Sequence, residues 1–160
     1  MMLFEQTLKA LEYNKVLERL ANFAKISQSR QYCLNLLPYN NHNQIKDALQ
    51  YTDEARKILD MAVDIPIEFV IELKNINLNV EYLTENELID FAKTLRTSRL
   101  VKSFLRENAG QNSLLFTLSS NLFVDKNIED RINDTFDDNY EVKANATQTL
   151  LGLVSSLKET

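Results

Sequence analysis

The side chains of this chain that could carry chemistry fall into three groups. Cys33 and His42 lie nine residues apart, acidic residues gather between positions 130 and 138, and basic residues recur along positions 96–106. A cysteine and a histidine can bind a metal or act as nucleophile and base. The chain has no second cysteine or histidine to complete such a site. We therefore expect Cys33 to pack as a small helix residue beside Leu36 and Leu37.

The acidic group has two interpretations. Asp130 and Asp134 are one helical turn apart, with Asp137 and Asp138 close behind them. Such carboxylates could hold a hard cation, but no glycine-turn calcium loop accompanies them. A solvated acidic face is the simpler interpretation, and we predict no metal site.

The basic group is the candidate nucleic-acid contact, and it consists of Arg96, Arg99, Lys102 and Arg106. This spacing places Arg99, Lys102 and Arg106, with Arg96 flanking them, on the side of a helix opposite Val101 and Phe104, so we expect them to be exposed together. Each could neutralise a phosphate. Since no aromatic residue interleaves with them, bases would have no surface on which to stack. The alternative is a solvated face that keeps an amphipathic helix soluble.

Glycine is the residue whose scarcity excludes most. The chain has only Gly110 and Gly152, so a glycine-rich nucleotide loop cannot be built. Tight turns for a sheet protein would also need more glycine and proline than the two of each present here. We expect no catalytic and no cofactor-binding residue in this chain.

The composition is that of one ordinary globular domain. The chain has 160 residues, 44% of them hydrophobic and 26% charged, and a net charge of −5 that would repel nucleic acid as a whole. No apolar run approaches the roughly 20 residues that cross a bilayer, and no signal peptide opens the chain. A single cysteine fits a reducing cytoplasm.

Hydrophobic spacing predicts an all-α fold, an irregular bundle of about six to eight helices with one short extended connector. We place helices at residues 3–12, 16–24, 27–37, 43–62, 84–108, 114–122 and 128–136, with a last one starting at Thr147. Asn14, Ser27 and Asn43 are the expected caps. Thr84 and Glu87 form a capping box before the longest helix. Its apolar stripe rotates near Thr97, so its two halves should bury different faces.

The order of these segments resembles the N-terminal region of the bacterial MutS paralogues of the second type, which often carry an Smr domain. The stretch at residues 7–17 is similar to the family's opening "TL..LEYdKIl..L", and residues 24–38 match its next helix up to the "L-x-P". Residues 52–55 resemble its "T.EA", and residues 83–105 its "Ls..EL..i...Lr..r..k.fl". Residues 141–150 echo "GEV.D.AS..L". In these motifs Ser29 and Tyr140 stand at family glycines, and Ala144 at an aspartate.

The resemblance implies a part of a larger protein. Full-length members of the family are homodimeric ATPases, with ATP and Mg²⁺, that bind branched DNA or collided ribosomes and often end in a nuclease domain. They act in DNA repair, recombination control or ribosome rescue. The matched region would be a helical core domain at residues 1–146, followed by the start of a lever helix at 147–160, and it would relay nucleotide state mechanically. The alternative is a free-standing helical adaptor that binds a partner protein.

Overall fold

The computed structural model describes residues 2–61, 64–72, 83–137 and 139–147. Seven helices make up the regular structure of these residues. The helices are α1 (Met2–Ala10), α2 (Tyr13–Ala21), α3 (Ser27–Leu34), α4 (His42–Asp60), α5 (Glu85–Asn108), α6 (Leu114–Ser120) and α7 (Lys126–Thr135). Across those ranges no strand is present, only an isolated antiparallel bridge between Phe136 and Val142. The predicted all-α class is confirmed. None of these helices is long and apolar enough to cross a membrane.

Two of the three predicted asparagine and serine caps are displaced. Helix α4 begins at His42, because the Asn41 side chain accepts hydrogen bonds from the amides of Asn43 and Gln44 at 2.8 and 3.4 Å. The residue before α3 is Ile26, so Ser27 is the first helical residue and not the cap. The predicted caps at Asn43 and Ser27 are therefore wrong by two residues and by one.

The third predicted cap, Asn14, is also wrong, because it lies inside α2. Helix α1 ends at Ala10, and Glu12 turns the chain with a left-handed φ of 50°. An exposed ion pair between Lys15 Nζ and Glu12 Oε1, at 2.6 Å, links this turn to the first turn of α2. A backbone turn, with no capping side chain, therefore separates the first two helices.

The capping box at the start of α5 is confirmed. The Glu87 amide donates to Thr84 Oγ1 at 3.3 Å, and the Thr84 amide donates to Glu87 Oε2 at 2.8 Å. The Thr84 hydroxyl donates to the same Glu87 oxygen at 2.7 Å, and the hydrogen bonds from the Thr84 amide and hydroxyl lower the pKa of Glu87. The two residues thus satisfy each other's amides at a helix end where the backbone has no other partner.

Replacing Thr84 by alanine should destabilise the protein by about 1 kcal/mol, the usual cost of a lost cap. Thr84→Ser keeps the hydroxyl and is the matched control, which should stay close to the wild type. Chemical denaturation of the three proteins measures the difference. Equal stability of Thr84→Ala and the wild type would contradict a role for this cap.

The chain divides into two compact units, and α5 contributes residues to both. Among described residues the first unit comprises positions 2–68 and 104–120, and the second comprises 69–103 and 121–147. The expected border between a core at 1–146 and a helix at 147–160 stays a prediction, because residues 148–160 lie outside the described part. The same holds for the stripe expected from Leu150 to Leu157.

In the first unit α2 packs on α1 and α3, and α4 packs on α6. Its buried residues are Ala21, Ile58, Phe104, Leu105 and Ser119. Lys25 Nζ binds Asp64 Oδ1 at 2.6 Å and so ties the α2–α3 loop to the segment after α4. Many large apolar side chains of this unit remain exposed, among them Phe23 (85% exposed) and Leu49 (65% exposed).

In the second unit a segment that is neither helix nor strand lies along α5. The amide of Phe69 donates to Thr97 Oγ1 at 3.2 Å, and the amide of Ile71 donates to Thr94 Oγ1 at 2.9 Å. Two alternate amides of this segment thereby meet hydroxyls three residues apart on a helix. The short extended connector, expected between residues 67 and 82, is described only at 67–72, where the chain forms neither helix nor strand, and its remainder lies outside the described residues.

The two halves of α5 bury different faces, as its rotating stripe predicts. In the first half the buried apolar residues are Ile89, Ala92 and Leu95. In the second half they are Phe104 and Leu105. Nine residues separate Leu95 from Phe104, which at 100° per residue is half a turn of the helix surface.

Candidate nucleic-acid interface

All four residues of the candidate nucleic-acid contact lie on α5, but their environments differ. Arg96 and Arg106 are exposed, whereas Arg99 and Lys102 are half-buried. Arg96, Arg99 and Lys102 belong to the second unit, and Arg106 belongs to the first. The four residues are therefore not equivalent in exposure or in the unit to which they belong.

Arg99 forms a two-pronged ion pair with Glu129 of α7. Its Nε donates to Glu129 Oε2 at 2.9 Å, and its Nη2 donates to Glu129 Oε1 at 2.8 Å. Only 3% of Glu129 is exposed. The planar guanidinium matches both carboxylate oxygens at once, which is the strongest geometry available to such a pair.

The ion pair shifts the titration of both partners. Hydrogen bonds from Arg99 lower the pKa of Glu129, against the effect of burial, and the nearby charges of Arg99 and Lys126 act in the same direction. Hydrogen bonding to Glu129 likewise raises the pKa of Arg99. Both groups are therefore held in their charged forms, each stabilised by the other.

Two further bonds fasten α5 to the segment that leads into α7. Lys102 Nζ donates to the Leu122 carbonyl at 2.8 Å, and Ser98 Oγ donates to the Phe123 carbonyl at 2.5 Å. Together with Arg99, Lys102 and Ser98 hold one face of α5 to α7 and to the segment that precedes it. The expectation that the four basic residues stand exposed together is thus wrong for Arg99 and Lys102, because both have acceptors within the protein.

Arg96 and Arg106 remain as surface cations. Arg106 has no hydrogen-bond or ion-pair partner among the described residues. Contact of any of the four basic residues with phosphate stays a prediction, and exposure favours this pair over Arg99 and Lys102.

DNA binding by the chain should be weak, with a dissociation constant of about 10⁻⁴–10⁻⁶ M at physiological salt, typical of non-specific contacts. Neutralising both Arg96 and Arg106 to glutamine should weaken it further and reduce its salt dependence, since up to two phosphate contacts are lost. Fluorescence anisotropy with a labelled duplex measures both effects. Arg131→Gln, a neutralised exposed cation on α7, is the control. Sub-micromolar binding, or an unchanged salt dependence in the double variant, would contradict this assignment.

The acidic group does not form a cation site in the described residues. Asp130 pairs with Lys126 at 2.7 Å, and Asp134 is exposed. Asp137 Oδ1 accepts from the amides of Asn139 and Glu141 at 2.8 and 3.0 Å, and so closes a turn. Asp138 lies outside the described residues. Over the described ranges no cluster of three metal-ligating side chains is found, and Cys33 is a half-buried residue of α3.

A carboxylate that the sequence did not single out as functional caps α6. Glu54 of α4 accepts from the amide of Leu114 at 3.2 Å and from the amide of Leu115 at 3.0 Å. Ser113 Oγ accepts from the next amide, that of Phe116, at 3.0 Å. The first three amides of this seven-residue helix thus have side-chain acceptors, two of them from a residue sixty positions away.

Glu54 is negatively charged in this position. Burial alone would raise its pKa, but hydrogen bonds from Leu115, Gln50 and Leu114, with the charge of Lys57, outweigh burial and lower the pKa. A negative charge at a helix N-terminus is stabilised by the helix dipole as well. Glu54 lies in the stretch that resembles the family's "T.EA", and here that glutamate joins two helices.

Lys93 forms a second structural site in the second unit. Its Nζ lies 5.6 Å from the ring centre of Phe69 and 5.2 Å from that of Tyr140. Asp90 Oδ1 lies 3.5 Å from the same atom. The cation is therefore held over two aromatic rings and beside a carboxylate, an arrangement that stabilises the packing of residues distant in sequence.

The first unit also carries an open apolar groove of about 550 Å³. Leucines from α1, α2 and the end of α3 line it, namely Leu8, Leu17, Leu34, Leu36 and Leu37, with Tyr13 at its side. Its lining and size suit an apolar segment of a protein better than a polar small molecule.

Comparison with known proteins finds relatives over nearly the whole chain. Endonuclease MutS2 of Bacillus cereus (strain Q1) is 28% identical over 165 aligned positions, which cover 98% of this chain and 21% of that protein. The proteins of that name from Bacillus thuringiensis (strain Al Hakam) and Bacillus mycoides (strain KBAB4) match to the same extent. The chain thus spans about a fifth of the length of the curated relatives it matches. It is related to a segment of these proteins.

No protein-family profile and no solved structure matches the chain.

Proposed function

We propose that this chain is a non-catalytic helical core and lever segment of a MutS-like protein. One observation carries the proposal: 98% of the chain aligns with proteins named Endonuclease MutS2 and corresponds to 21% of their length. A segment of that size fits one part of a larger machine. Its proposed task is to transmit nucleotide state from an ATPase to a clamp that holds DNA or a ribosome.

The internal fastening of the chain supports a mechanical role. Arg99 joins α5 to α7 through two hydrogen bonds, and Glu54 joins α4 to α6 in the same manner. Side chains held in this way resist sliding between helices, because each displacement would break charge-assisted bonds. Helix α5 supplies residues to both units and is the natural element to carry a displacement along its axis.

In this proposal ATP and Mg²⁺ bind to other parts of a full-length protein, and a homodimer of that protein holds the DNA or ribosome. Its role would be DNA repair, control of recombination or ribosome rescue. The chain itself contributes packing and leverage. Its chemistry is thus limited to hydrogen bonds and ion pairs between helices.

Nucleotide binding by the isolated chain tests the non-catalytic assignment. Isothermal titration calorimetry with ATP and Mg²⁺ should give no saturable heat, since the chain cannot form a glycine-rich phosphate loop. A saturable, Mg²⁺-dependent signal would overturn the assignment. A reading frame that continues past Thr160 into a glycine-rich loop ending in Lys-Ser or Lys-Thr would support the place of the chain in an ATPase.

A second candidate function is a helical adaptor, which the apolar groove of about 550 Å³ in the first unit favours. An amphipathic helix of a partner could lay its apolar side against those leucines. Leu17→Asp, a substitution in the wall of the groove, would abolish such binding. A stop codon directly after Thr160 would support the adaptor over the lever segment.

A further inference from the structure

An exposed apolar stripe runs along α2, beside the apolar groove. It consists of Val16, Leu20 and Phe23, which are spaced by four and three residues and are 56%, 44% and 85% exposed. The amide of Phe23 donates to the Leu20 carbonyl at 3.1 Å, so the helical turn continues to this residue. Apolar side chains at this spacing form a ridge along one side of a helix, which suits contact with another helix.

The stripe adjoins the groove. Leu17, which lines the groove, follows Val16 directly and lies three residues before Leu20. At 100° per residue, Val16, Leu20, Leu17 and the buried Ala21 follow one another around α2 within about 140° of its circumference. The exposed stripe, the wall of the groove and the buried contact of α2 are therefore parts of one continuous apolar surface.

Two cations flank this surface. Lys9 of α1 is exposed and lines the groove. Arg19 is also exposed, and it borders the stripe on the side away from Leu17, three residues after Val16 and four before Phe23. Neither Lys9 nor Arg19 has a hydrogen-bond or ion-pair partner among the described residues. An unpaired positive charge thus lies on each side of the apolar surface.

The carboxylates of α2 and its preceding turn do not offset these charges. Glu12 is engaged by Lys15, whose Nζ lies 2.6 Å from Glu12 Oε1. Glu18 lies on nearly the opposite side of α2 from Val16, since two residues of a helix turn by about 200°. The surface is therefore locally positive, although the chain as a whole carries a net charge of −5.

We propose that the groove and the adjoining stripe bind an amphipathic helix of a partner protein whose apolar side is flanked by acidic residues. The apolar side of that helix packs on the leucines of the groove and on the stripe, and its carboxylates face Lys9 and Arg19. The inference rests on the adaptor function proposed for the groove, and it adds the charge that the partner carries.

The concave shape of the groove favours a helix over an anionic membrane. A bilayer could receive the exposed stripe, but its flat surface would not fill a groove between α1, α2 and the end of α3. An extended anionic surface would also meet the negative charge of the whole chain, whereas a single helix meets the charges close to the groove.

Fluorescence anisotropy tests the charge selection with two labelled peptides of about 20 residues, long enough to form a helix. Both have leucines at alternate spacings of three and four, flanked by glutamates in one peptide and by lysines in the other. The wild-type chain should bind the acidic peptide at least about tenfold more tightly, since the basic peptide replaces attraction by repulsion at two positions. A variant with both Lys9→Glu and Arg19→Glu should prefer the basic peptide.

A double variant with Lys46→Glu and Arg106→Glu is the matched control. It makes the same change of net charge at two exposed positions of the first unit that lie on other helices. It should keep the preference for the acidic peptide. Phe23→Ser should weaken the binding of both peptides, and circular dichroism should show that the helices of every variant are intact, because all of these side chains are exposed.

Equal binding of the two peptides, or an equal loss of preference in the control, would overturn the inferred charge selection and leave the adaptor function standing. Absence of binding by both peptides would overturn the inference and the adaptor function together. Binding to phosphatidylglycerol vesicles without binding to either peptide would assign the surface to a membrane and would also overturn the inference.

Discussion

Replacing Arg99 by alanine should reduce the free energy of unfolding by about 3 kcal/mol, the loss expected when a buried carboxylate is left without its partner. Glu129 is only 3% exposed and receives both of its strong hydrogen bonds from Arg99. The loss of stability arises mainly because the buried charge of Glu129 is left without a partner. It should therefore exceed the net contribution of the ion pair to stability. Urea denaturation followed by circular dichroism gives the value.

Two comparisons separate the ion pair from general effects of removing an arginine. Arg106→Ala, which removes an exposed arginine from the same helix, should change stability by less than about 0.5 kcal/mol. Replacing Arg99 and Glu129 together by leucine should recover part of the loss, because no buried charge is left unpaired. If Arg99→Ala is as stable as Arg106→Ala, the pair does not hold α5 to α7.

The Arg99 contribution should also depend on pH. Because the pKa of Glu129 is lowered in the folded protein, the stabilisation is fully present above its unfolded value of about 4.3. It is lost as the pH falls from there through the folded pKa, where the carboxylate is protonated. The stability difference between wild type and Arg99→Ala should therefore be constant near neutral pH and shrink in acid.

The second large effect is expected at Glu54. Glu54→Ala should destabilise the first unit by about 2 kcal/mol, at the upper end of the range for a helix cap, because two amides of α6 lose their acceptor. The amides of Leu114 and Leu115 should then exchange with solvent much faster in hydrogen-exchange experiments. Glu54→Gln keeps the shape but offers a single acceptor oxygen, so it should fall between alanine and the wild type.

Asp47→Ala removes an exposed carboxylate from the same helix and is the control for Glu54→Ala. Its stability and its exchange rates at residues 114 and 115 should match the wild type. Unchanged protection of those two amides in Glu54→Ala would show that α6 is held by other contacts. Ser113, which caps the following amide, is the residue to test next in that case.

The sequence predicts well what is decided within a few residues. Thr84 and Glu87 accept hydrogen bonds from each other's amides over a span of four positions. The start of α5 can therefore be predicted without any tertiary structure. The cap of α4 is harder, because several asparagines precede that helix and each could serve. Asn41, not Asn43, is the one whose extended backbone lets its side chain reach the next amides.

The periodicity of hydrophobic residues does not predict contacts between residues that are distant in sequence. Helical spacing puts Arg99 on a polar side of α5, but its acceptor is thirty residues away on another helix. One signal was available: Glu129 lies on the same face of α7 as the apolar Ile132. A carboxylate within an apolar face indicates a buried partner of opposite charge, and Arg99 was a candidate.

The backbone at Tyr140 has a conformation that is uncommon for a residue with a side chain. Its φ of 63° lies in the left-handed region, which costs a residue with a side chain about 1–2 kcal/mol and glycine almost nothing. In the motif that residues 140–142 resemble, glycine stands at this position. Tyr140 therefore holds a backbone conformation that suits glycine better than tyrosine. Lys93, 5.2 Å from the centre of the Tyr140 ring, supplies an attraction that glycine could not offer.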